Sequence, residues 1–458
     1  MDGLLSPVWA GIPAAEQTSD HAFLAALLEV EAVWAEVLAD GQHVEFQDAH
    51  SVRRIANEWT HLSELSPERI AAAAPAGGNP VIPLLNAVRK VLSSRGESDA
   101  ALHRGATSQD VMDTAQMLVA HSVTESVLAD TARAADSLAA LAAEHRGTVC
   151  IARTLTRHAL PSSFGLRAAS WLDGLTQAVS EVRSAAAQLP LQWGGAVGTQ
   201  AGLVEIVGAG EARELTAQLA ERLGLQNPGQ PWHVQRQPIL QLASALTSLT
   251  AAYGKIASDI LLLQRPEIGE LSEPRRAGRG GSSAMPQKQN PVFSVLIRSA
   301  ALGAPGHMST LYQAASLSVE ERPDGAWQAE WPALRDLLRL SAGASARAAE
   351  LLSGVVIHPQ RMRQNLEEAG PSVFSERLVE TFAPYHPQQR SGVRDAIARS
   401  AAEHTELAPL LREEIPTKAL ADQEFEVLMG QILDPAGFLG RTQEFVDAAL
   451  AAHRQENL

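Results

Sequence analysis

The sequence predicts an all-α protein with a central bundle of long helices. Only 4% of its 458 residues are aromatic, and alanine and leucine runs dominate, a composition that favours helices over strands. The most regular segment carries apolar residues in steps of three and four: Ile239, Leu242, Leu246, Leu249, Tyr253, Ile256, Ile260 and Leu263. At 1.5 Å per residue, this heptad seam predicts a helix of roughly 38 Å.

The length of the seam also predicts an oligomer. A rod of this length is difficult to cover within one small chain, so we expect a bundle that is shared between subunits.

The helices are expected to form three domains. Residues 1–110 form a small N-terminal helical domain, whose first long helix is capped by Asp20 and ends near Gly41. Residues 111–352 form the central long-helix bundle domain. Residues 353–458, with broken apolar patterns and more prolines, form a C-terminal helical domain.

The segment from His103 to Thr114 predicts the N-terminus of a long helix. Thr107 or Ser108 can cap it, and Asp110 and Asp113 favour the positive end of the helix dipole. A helix start with free N–H groups is also an anion site.

The next polar segment begins at Arg153-Thr154 and contains His158. A lone histidine near an apolar helix is more often structural than catalytic, but the flanking Arg-Thr and Ala-x-Pro leave both interpretations open. The glycine-rich residues 192–199 lack the preceding strand and the spacing of a dinucleotide loop, and they favour a turn between two long helices.

Residues 279–291 are mostly small and polar and are interrupted by glycines and prolines, which predicts a loop. Two glycines allow positive φ angles, and a hydroxyl, a cation and an amide follow at Ser282, Lys288 and Asn290. A run of glycine and serine alone is usually a linker, whereas these groups in order fit a lid that closes over an anionic substrate. Pro291 then begins a helix expected to span residues 292–302.

Bulk properties exclude several classes of protein. The net charge of −15 argues against nucleic-acid binding, although a local cluster of basic residues can still bind a small anion. The single cysteine, Cys150, excludes an internal disulfide framework and a cysteine-based zinc site. No apolar run is long enough for a membrane span, and residues 1–17 do not resemble a signal peptide. We therefore expect a cytoplasmic protein with no membrane partner.

The remaining chemistry is proton transfer next to a carboxylate. The sequence has no His-x-x-x-His pair and no Walker or Rossmann loop, so we expect neither a metal nor a cofactor. Removing a proton α to a carboxylate requires cations and amide donors at that carboxylate, and such groups are present at Arg153, Arg236, Lys288 and Asn290. Ser282 needs a desolvated, positive site to act as an alkoxide base.

The motifs together resemble the fumarase/aspartase superfamily. The loop Gly-Ser-Ser-x-Met-Pro-x-Lys-x-Asn-Pro carries every fixed position of the superfamily signature. The form Gly-Ala-Thr-Ser-Gln-Asp-x-x-Asp-Thr is similar to its 3-carboxy-cis,cis-muconate cycloisomerase branch. So are the Trp-His-x-Gln-Arg segment before the seam and the position of His158, three residues after Leu155, where fumarases and argininosuccinate lyases carry histidine. Cycloisomerase relatives often carry histidine where Glu320 and Gln328 stand, and many carry arginine at Gln289.

The resemblance implies a homotetramer with active sites at subunit interfaces and a small di- or tricarboxylate substrate. It assigns catalysis to Ser282 and His158. It assigns substrate binding to His103, Thr107, Ser108, Gln109, Arg153, Thr154, His233, Gln235, Arg236, Ser283, Met285, Lys288, Asn290 and Arg322.

The expected reaction is the interconversion of 3-carboxy-cis,cis-muconate and 4-carboxymuconolactone, a step of protocatechuate breakdown. One alternative is a fumarate-releasing lyase similar to adenylosuccinate, argininosuccinate or nitrosuccinate lyase. A second alternative is a non-catalytic structural member of the fold, against which the retained serine, lysine and asparagine of the loop argue.

Overall fold

A computed structural model describes residues 3–276 and 278–456. Eighteen α-helices and four short strands make up the regular structure of these residues, together with short 3₁₀ turns. The predicted all-α class is confirmed. The chain divides into two compact units, each assembled from three separate stretches.

The first unit consists of Met1–Arg133, Gln177–Ala257 and Val295–Glu350. Seven helices lie wholly within it: α1 Pro13–Gln17, α2 Asp20–Asp40, α3 Phe46–Glu58, α4 Pro67–Ala73, α5 Val81–Ser94, α8 Ala201–Val207 and α9 Ala209–Arg222.

The second unit consists of Ala134–Thr176, Ser258–Ser294 and Leu351–Leu458. Its strands are β1 Val149–Thr154, β2 Arg157–Ser163, β3 Leu271–Ser272 and β4 Val356–Ile357. Its helices are α13 Pro359–Glu368, α14 Ser375–Phe382, α15 Gln389–Glu403, α16 Leu407–Glu414, α17 Asp422–Leu433 and α18 Thr442–Glu456. A core that includes Phe374, Phe382 and Phe425 packs α13 to α17 together.

Five longer helices contribute residues to both units: α6 Ser108–Glu144, α7 Phe164–Ala187, α10 Gln237–Leu263, α11 Val292–Ser316 and α12 Ala326–Leu352. The division into three consecutive domains at residues 110 and 352 stays a prediction.

Helix boundaries follow local signals with small shifts. The N-cap of α2 is Ser19, whose hydroxyl accepts the N–H of Ala22, so the cap lies one residue before the predicted Asp20. The helix ends before Gly41 as expected. Helix α11 continues beyond residue 302 to Ser316 with Pro305 inside it, so this proline does not end the helix.

The heptad seam is buried within the single chain. All eight of its apolar residues are at most 3% exposed. Neighbouring helices approach α10 closely: Tyr253 donates a hydrogen bond to Thr131 Oγ1 of α6 at 2.8 Å, and a Cβ on Gly254 would lie 2.5 Å from the Ala301 side chain of α11. The seam therefore needs no second subunit to cover it, and it no longer supports the expected sharing of the bundle.

The strands β1 and β2 form a hairpin that was not predicted. Its two-residue turn, Leu155-Thr156, has φ angles of 48° and 69°, as in a type I′ turn. Such turns usually carry Asn-Gly or Asp-Gly, so Leu-Thr gave no local signal. His158 is consequently exposed and lies on β2, where it pairs with Arg153.

Candidate functional site

In the first unit, the predicted anion-binding turn lies at the start of α6. The helix begins at Ser108, and the N–H of Thr107 donates to Asp110 Oδ2 at 3.0 Å, which is half of a capping box. Arg322 donates to Thr107 Oγ1 at 3.1 Å and to the carbonyl of Ala196 at 2.8 Å. Thr107 and Arg322, predicted from distant motifs, are therefore in direct contact.

Asp110 connects three segments of this unit. Its fully buried carboxylate accepts the N–H groups of Gly194 at 2.7 Å and Gly195 at 2.9 Å. It also accepts His233 Nε2 at 2.8 Å, and a carboxylate can only accept, so Nε2 carries the proton. His233 Nδ1 is buried without a hydrogen-bond partner among the described residues. Asp110 thereby fixes both the glycine-rich segment and His233 against the start of α6.

Arg236 lies in a buried ionic network. It is 2% exposed, and its guanidinium bonds Asp113 at 2.8 Å and Glu330 at 2.7 Å, while Trp232 lies 4.6 Å beneath it. Trp327 Nε1 donates to the same Asp113 at 2.9 Å. Burial disfavours the cation, but the two carboxylates outweigh this and raise the pKa of Arg236. The residue holds α6, α10 and α12 together in this unit.

Two further predicted residues differ in exposure. Gln109 is fully buried, and its amide donates to the His233 carbonyl at 2.9 Å and to Asp113 at 3.2 Å. Gln235 is exposed. Gln109 therefore serves the framework, whereas Gln235 remains accessible to a ligand.

His103 forms a close pair with Glu31 of α2. Its backbone N–H and its Nδ1 both bond the Glu31 carboxylate, at 2.9 Å and 2.6 Å. Glu31 is 1% exposed. Glu31 was not predicted from the sequence. It lies four residues after Leu27 on the apolar face of α2, and a charged residue at that helical spacing is a recognisable signal.

In the second unit, the loop of residues 279–291 folds back on itself. Gly281 and Gln289 form a bridge, and Asn290 donates both its backbone N–H and its side-chain amide to the carbonyl of Gly280, at 2.7 and 3.1 Å. Gly280 has φ +71°, and a Cβ there would lie 2.6 Å from the Asn290 carbonyl oxygen. Only glycine fits this position, which agrees with the predicted positive φ.

The two adjacent serines of the loop differ. Ser282 is half-buried, and its hydroxyl oxygen accepts the backbone N–H groups of Ala284 at 3.3 Å and Met285 at 3.1 Å. Ser283 is exposed, and within the described chain its hydroxyl has no hydrogen-bond partner. Lys288 is exposed and forms no ion pair with any described residue. The loop thus presents one serine oxygen between two donors, and a free cation.

The hairpin carries the other candidates of the second unit. Arg153 pairs with the fully buried Glu270 at 2.6 Å, and Asn365 donates to the same carboxylate at 2.8 Å. Nη1 of Arg153 is buried without a partner among the described residues. Thr154 and His158 are exposed near the turn. Glu270 was missed from sequence, since nothing local marks it as buried.

Residues 3–276 and 278–456 include no cluster of metal-binding side chains and no membrane-spanning helix. No three His, Cys, Asp or Glu side chains gather in a way that could hold a metal ion. No helix combines the length and the hydrophobicity of a bilayer span.

Comparisons with known proteins agree with the motifs. A family model described as "Lyase" matches residues 20–306. Nitrosuccinate lyase of Streptomyces davaonensis is 41% identical over 456 residues, which cover 98% of this chain and 94% of that protein. The 3-carboxy-cis,cis-muconate cycloisomerase of Pseudomonas aeruginosa is 38% identical over 392 residues, covering 84% of this chain and 83% of that protein.

A solved structure gives the same result. The 3-carboxy-cis,cis-muconate lactonizing enzyme from Pseudomonas putida superimposes with a TM-score of 0.87 at 31% identity, over 100% of both chains. Because the family match and these relatives span most of the sequence, the chain belongs to the lyases of the fumarase/aspartase superfamily.

Proposed function

We propose that this protein eliminates nitrite from nitrosuccinate to form fumarate, with Ser282 as the base. A proton leaves the carbon next to one carboxylate, the adjacent C–N bond breaks, and its electron pair departs with the nitro group as nitrite. The new C=C bond makes the carbon product fumarate.

The hydrogen bonding of Ser282 carries the proposal. Two backbone N–H groups, of Ala284 and Met285, point at one serine oxygen. Donors aimed at an oxygen stabilise its anionic form, so this geometry favours an alkoxide at Ser282. The neighbouring Ser283 lacks such donors among the described residues, which supports Ser282 over Ser283 as the base.

Cations and amides supply the other requirement of the reaction. Negative charge builds on the carboxylate next to the carbanion, and a nearby cation lowers the barrier. In our proposal Lys288 and Asn290 bind that carboxylate. We propose separately that Thr107 and Ser108, with Arg322 in contact, form an anion site at the start of α6 that binds a carboxylate.

This proposal places nitrosuccinate before 3-carboxy-cis,cis-muconate as the substrate, whereas the motifs favoured the cycloisomerase reaction. The nitrosuccinate lyase relative is 41% identical to this chain, against 38% for the P. aeruginosa cycloisomerase. A tricarboxylate also needs more positive groups than a dicarboxylate, and Glu320, Gln328 and Gln289 are not cationic. Both observations favour the smaller substrate.

Cycloisomerase activity is the second candidate. The 38% identity to the P. aeruginosa enzyme and the TM-score of 0.87 to the P. putida structure favour it. The same base and the same carboxylate donors can serve it, because opening the lactone also removes a proton next to a carboxylate and expels an anionic oxygen.

We also propose that the active protein is a homotetramer with sites at subunit interfaces. An apolar face of α11 supports this, since Val295, Leu302 and Tyr312 are 50%, 75% and 53% exposed. This face, and not the buried seam of α10, is where we expect another subunit to pack.

The experiment compares both substrates on one purified sample. Nitrosuccinate should yield fumarate and nitrite in equal amounts, measured by ultraviolet absorbance and by a colorimetric nitrite assay, and Ser282→Ala should remove both products. Turnover of 3-carboxy-cis,cis-muconate alone would establish the second candidate instead. A sample inert toward both, and toward adenylosuccinate and argininosuccinate, would contradict both and support the non-catalytic alternative.

A further inference from the structure

Glu31 is a buried carboxylate on the apolar face of α2. It is the only charged residue among the buried positions of that helix, and it is 1% exposed. No arginine or lysine of the described chain pairs with it. Its partners are the backbone N–H and the Nδ1 of His103, at 2.9 and 2.6 Å.

The charge of Glu31 favours the imidazolium form of His103. A buried carboxylate without a cation is strongly destabilising, and His103 is the group that can supply one. Charged groups face His103 from three helices: Glu31 on α2, Asp110 on α6 and Arg89 on α5. Burial lowers the pKa of His103, but the hydrogen bond and charge of Glu31, aided by Asp110 and opposed by Arg89, outweigh it and raise the pKa.

Glu31 also fixes the conformation of His103. His103 has φ +58°, a left-handed conformation that is unfavourable for most side chains, and its backbone N–H donates to the Glu31 carboxylate. With Nδ1 bound to Glu31, Nε2–H is the remaining donor of the ring, and no described group binds it. His103 lies four residues before Thr107, in the loop that leads into α6.

We propose that Glu31 is a positioning residue that holds His103 as an imidazolium, whose Nε2–H donates to an anionic oxygen of the substrate at the start of α6. This inference rests on the proposed function, since it names a further donor in the same anion site. It predicts that substrate affinity depends on the protonation of His103.

The sign of the pH dependence follows from the raised pKa. Below the pKa of His103 the donor is charged and binding is strong, and binding weakens as the pH rises through that value. A charged hydrogen bond is worth about 10- to 100-fold in affinity. The loss should appear in KM and in the inhibition constant of fumarate, with little change in kcat.

The test variant is Glu31→Gln. Its amide oxygen can still accept the His103 N–H, and its NH₂ group can donate to Nδ1, so the loop keeps its bonds while the imidazole becomes neutral. Glu29→Gln is the matched control, because it removes a carboxylate two positions away on the same helix that instead pairs with Arg53. Should Glu31→Gln fail to fold, His103→Asn, a residue that tolerates positive φ, serves in its place and should abolish the pH dependence.

Two measurements separate this inference from the proposed function. NMR titration of labelled histidine reports the pKa of His103 without any reaction, and it should fall in Glu31→Gln and stay unchanged in Glu29→Gln. An unchanged His103 pKa in Glu31→Gln overturns the inference whatever the enzyme does. A lowered pKa with an unaltered pH profile of fumarate inhibition overturns the role of His103 in binding. If the His103 pKa falls in Glu31→Gln but the protein binds no fumarate, both the proposed function and the role of His103 in binding are wrong. The effect of Glu31 on the pKa of His103 would still be confirmed.

Discussion

Replacing Arg236 with methionine tests whether this arginine holds the framework or binds substrate. The motif placed Arg236 among the substrate-binding residues. The structure gives every N–H of its guanidinium an acceptor within the first unit. Nε donates to Glu330, Nη1 to Asp113 and the Trp232 carbonyl, and Nη2 to both carboxylates. No donor is left over for a ligand.

The magnitude follows from what the substitution leaves behind. Methionine fills a similar volume, but two buried carboxylates lose their cation, and breaking such a pair destabilises a protein by about 3–5 kcal/mol. Asp113 keeps hydrogen bonds from Gln109 and Trp327, whereas Glu330 loses its only described partner. A larger unfolding entropy makes the shift smaller, about 1–2 °C per kcal/mol for a chain of this size, so the melting temperature should fall by roughly 3–10 °C.

The assay is thermal unfolding, followed by tryptophan fluorescence, with kinetics measured well below the melting temperature. Arg236→Met should melt early but keep the KM of the wild type. Arg236→Lys keeps the charge without the planar fork and should lose less stability. Arg95→Met, which removes only a surface pair with Glu58, should change stability by about 0–1 kcal/mol. If Arg236→Met instead melts like the wild type while its KM rises tenfold or more, the arginine binds substrate and our interpretation of the network is wrong.

Three further predictions address the loop and the assembly. Ser282→Ala should lower turnover by about 10²–10⁴-fold with substrate binding retained, while Ser283→Ala stays active; the opposite pattern in parallel kinetics would move the base by one residue. Lys288→Met should raise KM and lower kcat together, because charge grows on the carboxylate that it binds; unchanged kinetics would remove Lys288 from the site. Leu302→Asp, on the exposed face of α11, should dissociate a tetramer in light scattering without loss of helicity, whereas Leu246→Asp, which is fully buried, should unfold the chain. A wild-type monomer at micromolar concentration would contradict the tetramer itself.

Local patterns were sufficient for the elements that depend on neighbouring residues. The seam predicted α10, the polar turn before Ser108 predicted the start of α6, and Gly41 marked the end of α2. The signature loop could also be recognised, because its glycines, serine, lysine and asparagine lie at fixed spacing along one segment. Periodicity and capping are properties of consecutive residues, so a sequence displays them directly.

Tertiary structure decided which charged groups are buried together. Arg236 meets Asp113 across 123 residues and Glu330 across 94, and His103 meets Glu31 across 72. Contacts between distant segments also decided that the seam of α10 is covered by other helices of the same chain. Desolvation and pairing depend on which distant side chains are brought into contact, and the spacing of residues along a chain carries no record of that contact.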